Sequence, residues 1–204
     1  MIRVMKAGNR LYLARHGQVK GYERFPIYGH TDVELTDEGR IQMEALAERL
    51  RHNRISAVFS SDLRRSLVGA KIIGRHHEVP VLSLPELREM NFGAWEGLTL
   101  GEVQERFPGE LLEREKNLAA YRMPGGGESL TAFSRRILSC MSEILDKREG
   151  ENLLLVAHGM VNRVILSDAL GLDLSRIFAL HQEYGCLNII DYFPDASLVR
   201  LVNG

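Results

Sequence analysis

The run Asn152-Leu153-Leu154-Leu155-Val156-Ala157 is apolar without alternation and stops abruptly at His158-Gly159. A strand with no polar side needs cover on both faces, which a helix-flanked parallel sheet provides and a one-sided antiparallel sheet does not. Shorter runs repeat the theme at residues 10–14, 57–60 and 80–82, the first closing on Arg15-His16-Gly17 and the second on Ser61-Asp62-Leu63-Arg64-Arg65.

Helical patterns lie between them. Thr36 is placed to cap a helix, with Asp37 and Glu38 at the positive end of its dipole. Met43, Leu46, Ala47 and Leu50 follow at i, i+3, i+4 and i+7. Residues 63–77 predict a second helix. Leu130, Phe133, Ile137, Met141, Ile144 and Leu145 predict a long one after the loop Pro124-Gly125-Gly126-Gly127, and residues 161–170 a last one. Strands are expected at 187–193 and 197–202, on either side of Pro194-Asp195. This alternation predicts an α/β fold, a three-layer α/β/α sandwich with a mostly parallel central sheet. With no repeat and no Pro/Gly/Ser linker, residues 1–204 read as a single domain. The signals weaken from 85 to 122, where a cap-like excursion is expected at 98–123.

Charge narrows the partners. The chain has 26 Lys and Arg against 27 Asp and Glu, so there is no basic excess to attract nucleic acid or a membrane surface. An anionic ligand would need a local cluster. Cys140 and Cys186 form no C-x-x-C pair, and Met1 to Gly8 lacks the apolar stretch of a signal peptide. Charged residues interrupt every apolar run before it could span a membrane. A reducing cytoplasm is expected, with no cofactor and no metal. A homodimer through an edge strand such as 197–202 is open.

In open α/β sheets, ligands collect at the carboxyl ends of the strands. Those ends here carry His16, His158 and at least one arginine. Arginine offers a fixed fork of donors to phosphate oxygens, and a histidine beside arginines stays neutral and nucleophilic. Gly17 lets the backbone approach His16, where a carbonyl would fix the ring tautomer. Helix starts after Ser61 and Gly159 add backbone donors. The cluster suits phosphoryl transfer. A proton donor for the leaving oxygen is also needed, and Glu86, Glu89 and Glu96 are all candidates.

Taken together, these segments resemble the histidine phosphatase superfamily, with its phosphoglycerate mutase-like fold. Leu13-Ala14-Arg15-His16-Gly17 is similar to the Arg-His-Gly signature that carries the phosphorylated histidine. Gly29-His30-Thr31-Asp32-Val33-Glu34-Leu35-Thr36 matches a G-x-T-D-x-x-L-T segment. Ser60-Ser61-Asp62-Leu63-Arg64-Arg65 resembles S-S-x-L-x-R, which implies Arg65 rather than Arg64 as phosphate ligand. Leu87-Arg88-Glu89 followed by Phe92-Gly93-Ala94-Trp95-Glu96-Gly97 resembles the general-acid region and implies Glu89. Ala157-His158-Gly159 resembles the segment of the second histidine, and Pro124 to Ser129 a P-G-G-E-S loop with one glycine more. Met160 and Ser66 depart from the pattern, at positions expected not to touch the named roles. Residues 20–28 lack the Trp-Asn usual in mutases, which is closer to the phosphatase branch, including α-ribazole phosphatases.

The resemblance implies a metal-independent phosphomonoesterase acting on a small phosphorylated metabolite. His16 is the implied nucleophile, Glu89 the proton donor and His158 the transition-state stabiliser. Arg15, Arg65, Gln18 and Gly159 are the implied phosphate and substrate contacts. A cofactor-dependent phosphoglycerate mutase is the alternative, and an inactive binding module of the same fold a third reading. Tyr22, Phe25, Tyr28, Phe107, Leu111, Leu112 and Tyr121 suit a partly apolar lid and ordinary packing equally; Cys140 is expected in the core, and His181 and Tyr184, within reach of the site from the late loop, are expected on the surface.

Overall fold

A computed structural model describes residues 8–24 and 26–204; the N-terminal reading and Phe25 lie outside them. Strands β1 (Asn9–Arg15), β2 (Ala57–Ser60), β3 (Val81–Ser83), β4 (Asn152–Ala157), β5 (Leu187–Phe193) and β6 (Ala196–Leu201) form one sheet in the order β3-β2-β4-β1-β5-β6. The pairs β3–β2, β2–β4 and β4–β1 are parallel, while β5 and β6 add antiparallel at one edge.

The pleat explains why the apolar runs had to be continuous. Leu11, Leu13, Phe59, Leu153 and Leu155 face one side, where they meet α5 (Leu130–Lys147) and α6 (Gly159–Leu170) through residues such as Phe133, Ile137, Val161 and Ile165. Tyr12, Ala14, Val58, Leu154 and Val156 face the other and meet α1 (Asp37–Leu50) and α2 (Arg64–Gly74) through Met43, Leu46, Ala70 and Ile73. Both faces are buried, so the fold is the expected three-layer sandwich. Thr36 caps α1 by accepting the Gly39 N–H at 2.9 Å, and Ser129 caps α5 by accepting that of Ala132.

Some boundaries differ. α2 stops at Gly74 instead of reaching His77. α6 begins at Gly159, so His158 is its N-cap residue. Residues 98–123 fold into two short helices, α3 (Leu100–Arg106) and α4 (Glu110–Lys116), the first closed by a Thr99/Glu102 capping box. Cys140 is half-buried on a groove beside Phe59 and Leu82 rather than in the core, because its position on α5 lies at the margin of the apolar stripe.

Register brings distant residues together. Arg15 pairs with Ala157 across β1–β4, and Ser60 with Val156 across β2–β4. The next residue of each strand therefore emerges at one edge of the sheet: His16, His158 and Ser61.

Candidate active site

His16 is buried, with its ring Nδ1 2.8 Å from the Gly17 carbonyl oxygen. That acceptor holds the proton on Nδ1 and leaves a lone pair on Nε2. The close turn depends on Gly17, since a β-carbon there would stand 2.1 Å from the Gly39 carbonyl oxygen. Burial, then Arg65, then Arg15 hold the imidazole well below its ordinary value of 6.5, so it is neutral.

His158 is fully buried, and its ring lies edge-on to that of His16 with centroids 5.2 Å apart. Ser61 Oγ stands 2.7 Å from its Nε2 and accepts the Leu63 N–H at 3.3 Å. With the Ser61 hydroxyl donating to Nε2, the ring proton sits on Nδ1, a buried atom with no partner of its own. Burial foremost, with Arg65, His16 and Arg15 adding, keeps this ring neutral as well.

Arg65 is 1% exposed and donates to the carbonyls of Thr31 at 2.7 Å and Gly29 at 2.6 Å. Arg64, one residue earlier, is exposed and pairs with Asp32 and Glu34. Arg15 donates to the Gln182 carbonyl at 2.6 Å, and its guanidinium lies 3.9 Å from the centre of the Tyr184 ring. Tyr184 also tilts against His16 with centroids 5.7 Å apart. It therefore belongs to the site, contrary to the surface expectation, because β5 returns beside β1 and carries its preceding loop over the edge. His181 is exposed, bonded to Glu183.

The three carboxylate candidates separate cleanly. Glu86 is exposed. Glu96 accepts the N–H groups of His30 and Thr31 at 2.6 and 2.7 Å, so it fastens the loop whose carbonyls grip Arg65. Glu89 is buried, accepting the Met90 N–H at 2.9 Å and the Met160 N–H at 3.0 Å. Burial raises its pKa above 4.5 against the lowering effect of those two bonds and of Arg65 and Arg15. Met160 thus does touch a named role, through its backbone. Ser66 does so at one remove, its hydroxyl bridging the Ser61 N–H and the Val156 carbonyl.

Gln18 turns its side-chain oxygen to the Thr36 hydroxyl at 2.9 Å, on the α1 cap. Gly159 stands at the first turn of α6, beside the Arg15 guanidinium. A cavity of about 470 Å³ adjoins this cluster, lined by Arg15, Glu89, Gly159 and Met160 but not by His16, Arg65, His158 or Gln18, and otherwise by Pro26, Ile27, Tyr28, Phe92, Trp95, Leu100, Arg114, Arg163 and Phe178. Of the expected lid residues that are described, only Tyr28 lines it. Phe107, Leu111 and Tyr121 pack on the core and Leu112 is exposed, since α3 and α4 turn their apolar sides inward. Trp95 is both wall and anchor, at 1% exposure. Phe178 and Arg163 carried no motif by which the sequence could have shown them.

Comparison with known proteins agrees with this fold. Residues 11–204 match the histidine phosphatase superfamily, branch 1, and the chain belongs to that family. It is 37% identical over 161 residues to phosphoglycerate mutase-like protein 4 of Arabidopsis thaliana, covering 78% of this chain and 70% of the relative. It is 29% identical over 200 residues to the adenosylcobalamin/alpha-ribazole phosphatase of Salmonella typhimurium, covering 95% and 96%. The alpha-ribazole phosphatase structure from Shigella flexneri superposes with a TM-score of 0.85 at 26% identity, covering 96% of each chain. The chain spans about half the length, 53%, of several mycobacterial relatives. Its class of chemistry is that of a hydrolytic phosphatase. Among the described residues no helix is long and apolar enough to cross a membrane.

Proposed function

We propose that this chain hydrolyses a small phosphorylated metabolite in two steps through a phosphohistidine. His16 Nε2 attacks phosphorus as the ester oxygen leaves, and Glu89 supplies that oxygen's proton. The ionised Glu89 then takes a proton from water, whose oxygen displaces the phosphoryl group from His16. Arg15 and Arg65 bind the phosphoryl oxygens, and His158 Nδ1–H stabilises the charge that spreads over them in the transition state. The α6 amino terminus at Gly159 adds backbone donors, and Gln18 acts from the rim.

The observation that carries this reading is the pairing of a neutral His16, its Nδ1 tied to Gly17 at 2.8 Å, with a buried Glu89 whose pKa is raised. One group is ready to attack and the other holds a proton to give. Mixing enzyme with substrate for a single turnover and quenching in alkali should trap an acid-labile phosphoenzyme. Its absence, or its persistence in His16→Ala, sinks the reading.

α-Ribazole 5′-phosphate and 3-phosphoglycerate are the first esters to assay, and release of free phosphate rather than isomerised ester separates hydrolase from mutase. Residues 98–123 act as the cap over the site, contributing Leu100 and Arg114 to its wall. A cytoplasmic location is supported by the two free cysteines.

A further inference from the structure

The two arginines assigned to phosphate are held by neutral groups. Arg10, Arg64, Arg75, Arg88 and Arg136 each pair with a carboxylate. Arg65 is gripped instead by the carbonyls of Thr31 and Gly29. Among the described residues Arg15 meets no carboxylate either. Its Nη1 donates to the Gln182 carbonyl at 2.6 Å, its Nε is buried without an acceptor, and its Cζ stands 3.9 Å from the centre of the Tyr184 ring. A carboxylate would fix the fork of donors but also occupy it and offset its charge, and a phosphate would have to displace it. A carbonyl and a ring face fix the fork and leave both its charge and its in-plane N–H groups free.

The chain around Tyr184 is tied down on both sides. Gln182 is 1% exposed, and its side-chain amide exchanges two bonds with that of Asn188, at 2.8 and 2.9 Å. The Glu183 N–H donates to Asn203 Oδ1 at 2.6 Å, and the Gly185 N–H to the His16 carbonyl at 3.1 Å. The Arg15 N–H donates in turn to the Cys186 carbonyl at 3.1 Å. Residues 182–186 are therefore stitched to Arg15 and His16, and the half-buried ring between the stitches touches both side chains. Arg15 lines the cavity beside Glu89 and Gly159, whereas Tyr184 borders a separate cleft with Gln42 and Leu46 of α1. The ring thus stands behind the guanidinium and takes no space from an ester in front of it.

We propose that Tyr184 is a positioning residue: its ring face backs the Arg15 guanidinium and holds the remaining N–H groups toward the phosphoryl oxygens without drawing on the charge. This rests on the phosphomonoesterase reading, in which Arg15 binds phosphate. The position needs an electron-rich ring face, so shape alone does not satisfy it.

Inorganic phosphate is the probe, its affinity measured by calorimetry, alongside kcat and KM for para-nitrophenyl phosphate. Tyr184→Leu should weaken phosphate binding and raise KM by about fivefold, as loss of a partly desolvated cation–π contact predicts, with a smaller change in kcat. Tyr184→Phe, which keeps the ring face, should hold both within about twofold of the wild type. Pentafluorophenylalanine in place of Tyr184 is close to Phe in shape but reverses the sign of the ring face, and it should lose as much as Tyr184→Leu. In an Arg15→Ala background, Tyr184→Leu should lower kcat/KM no further, because the ring acts through that guanidinium. Three results each overturn the role: phosphate bound equally by wild type and Tyr184→Leu, a fluorinated ring that binds as well as Phe, or a loss from Tyr184→Leu that persists without Arg15. Thermal melts accompany each variant, and the Phe and fluorinated rings carry the test if Tyr184→Leu does not fold. A wild-type chain that neither binds phosphate nor turns over para-nitrophenyl phosphate overturns the phosphomonoesterase reading itself, and this role with it.

Discussion

Ser61 Oγ lies 2.7 Å from His158 Nε2 and accepts the Leu63 N–H at 3.3 Å. A serine from the end of β2 thus holds the ring of a histidine at the end of β4 and, by donating its hydroxyl hydrogen to Nε2, would keep the ring proton on Nδ1. Ser61→Ala should remove that bias and lower kcat by about tenfold or more, part of what loss of a transition-state donor costs. It also leaves the buried Leu63 N–H without an acceptor, at a cost of about 1–3 kcal/mol in stability. Ser61→Thr, which keeps the hydroxyl, should restore kcat. Steady-state rates with urea unfolding check both; a kcat unchanged in Ser61→Ala dismisses the tautomer role.

Glu89 should matter in proportion to how badly the leaving group needs a proton. For an alkyl phosphate, Glu89→Gln is expected to cost about 10²–10⁴ in kcat, the usual worth of general acid catalysis. For para-nitrophenyl phosphate, whose alcohol leaves as a stable anion, phosphoenzyme formation should slow far less. Comparing the burst phase for the two esters measures this. Equal losses would remove Glu89 from the proton-donor role.

The pH profile follows from the same two groups. In the proposed mechanism, activity needs neutral His16 and protonated Glu89. Since the His16 imidazole is held well below 6.5, the acid limb of kcat/KM should lie below the ordinary histidine range. Glu89 is raised above 4.5, so its ionisation should give an alkaline limb on that side of the ordinary carboxylate value. Glu89→Gln, assayed with an alkyl phosphate, should lose the alkaline limb and keep the acid one.

Stability moves in opposite senses with the two kinds of group. Unfolded His16 and His158 take up protons near 6.5 while the folded rings refuse them. Below that pH the unfolded chain binds more protons, so stability falls as pH drops, by about 1.4 kcal/mol per unit for each ring until the folded values are reached. Glu89 acts the other way: folded, it keeps a proton that the unfolded chain loses above 4.5, so its contribution fades as pH rises through the folded value. Urea midpoints from pH 5 to 7 should show the histidine slope, to which the lowered His30 and His77 add, and His158→Asn should make it shallower. An unchanged slope in that variant would mean the ring is not buried neutral.

What could be read in advance was whatever sits at the end of a strand. His16 and His158 were legible because each closes an apolar run at a glycine, and parallel register then forces such ends together. The Ser61–His158 bond spans 97 residues of chain and leaves no periodicity behind it. Tyr184 was misjudged because its loop reads as polar and short, and only the antiparallel return of β5 beside β1 lays it on Arg15. The lid stayed undecided for another reason. Phe107, Leu111 and Tyr121 are apolar enough for a lid or a core, and composition does not separate the two.

The Pro124–Ser129 loop has its own part, and it acts through Glu128. Arg136 donates to both oxygens of Glu128, at 2.9 and 2.7 Å, and to the backbone carbonyls of Glu86 at 2.7 Å, Arg88 at 3.0 Å and Glu89 at 3.3 Å. Glu128 in turn accepts the Asn91 N–H at 2.9 Å. One ion pair thus fixes the backbone on both sides of Glu89 and so sets where its carboxyl stands relative to His16. Arg136→Ala frees three carbonyls and leaves a half-buried carboxylate without its partner. It should cost about 1–3 kcal/mol in stability and lower kcat with little change in KM, because the carbonyls it releases carry Glu89 and not Arg15 and Arg65, the proposed phosphate ligands. A rise in KM at constant kcat would instead place Arg136 in substrate binding. Arg136→Lys, keeping the charge but not the fork of donors, should recover part of the stability and less of kcat.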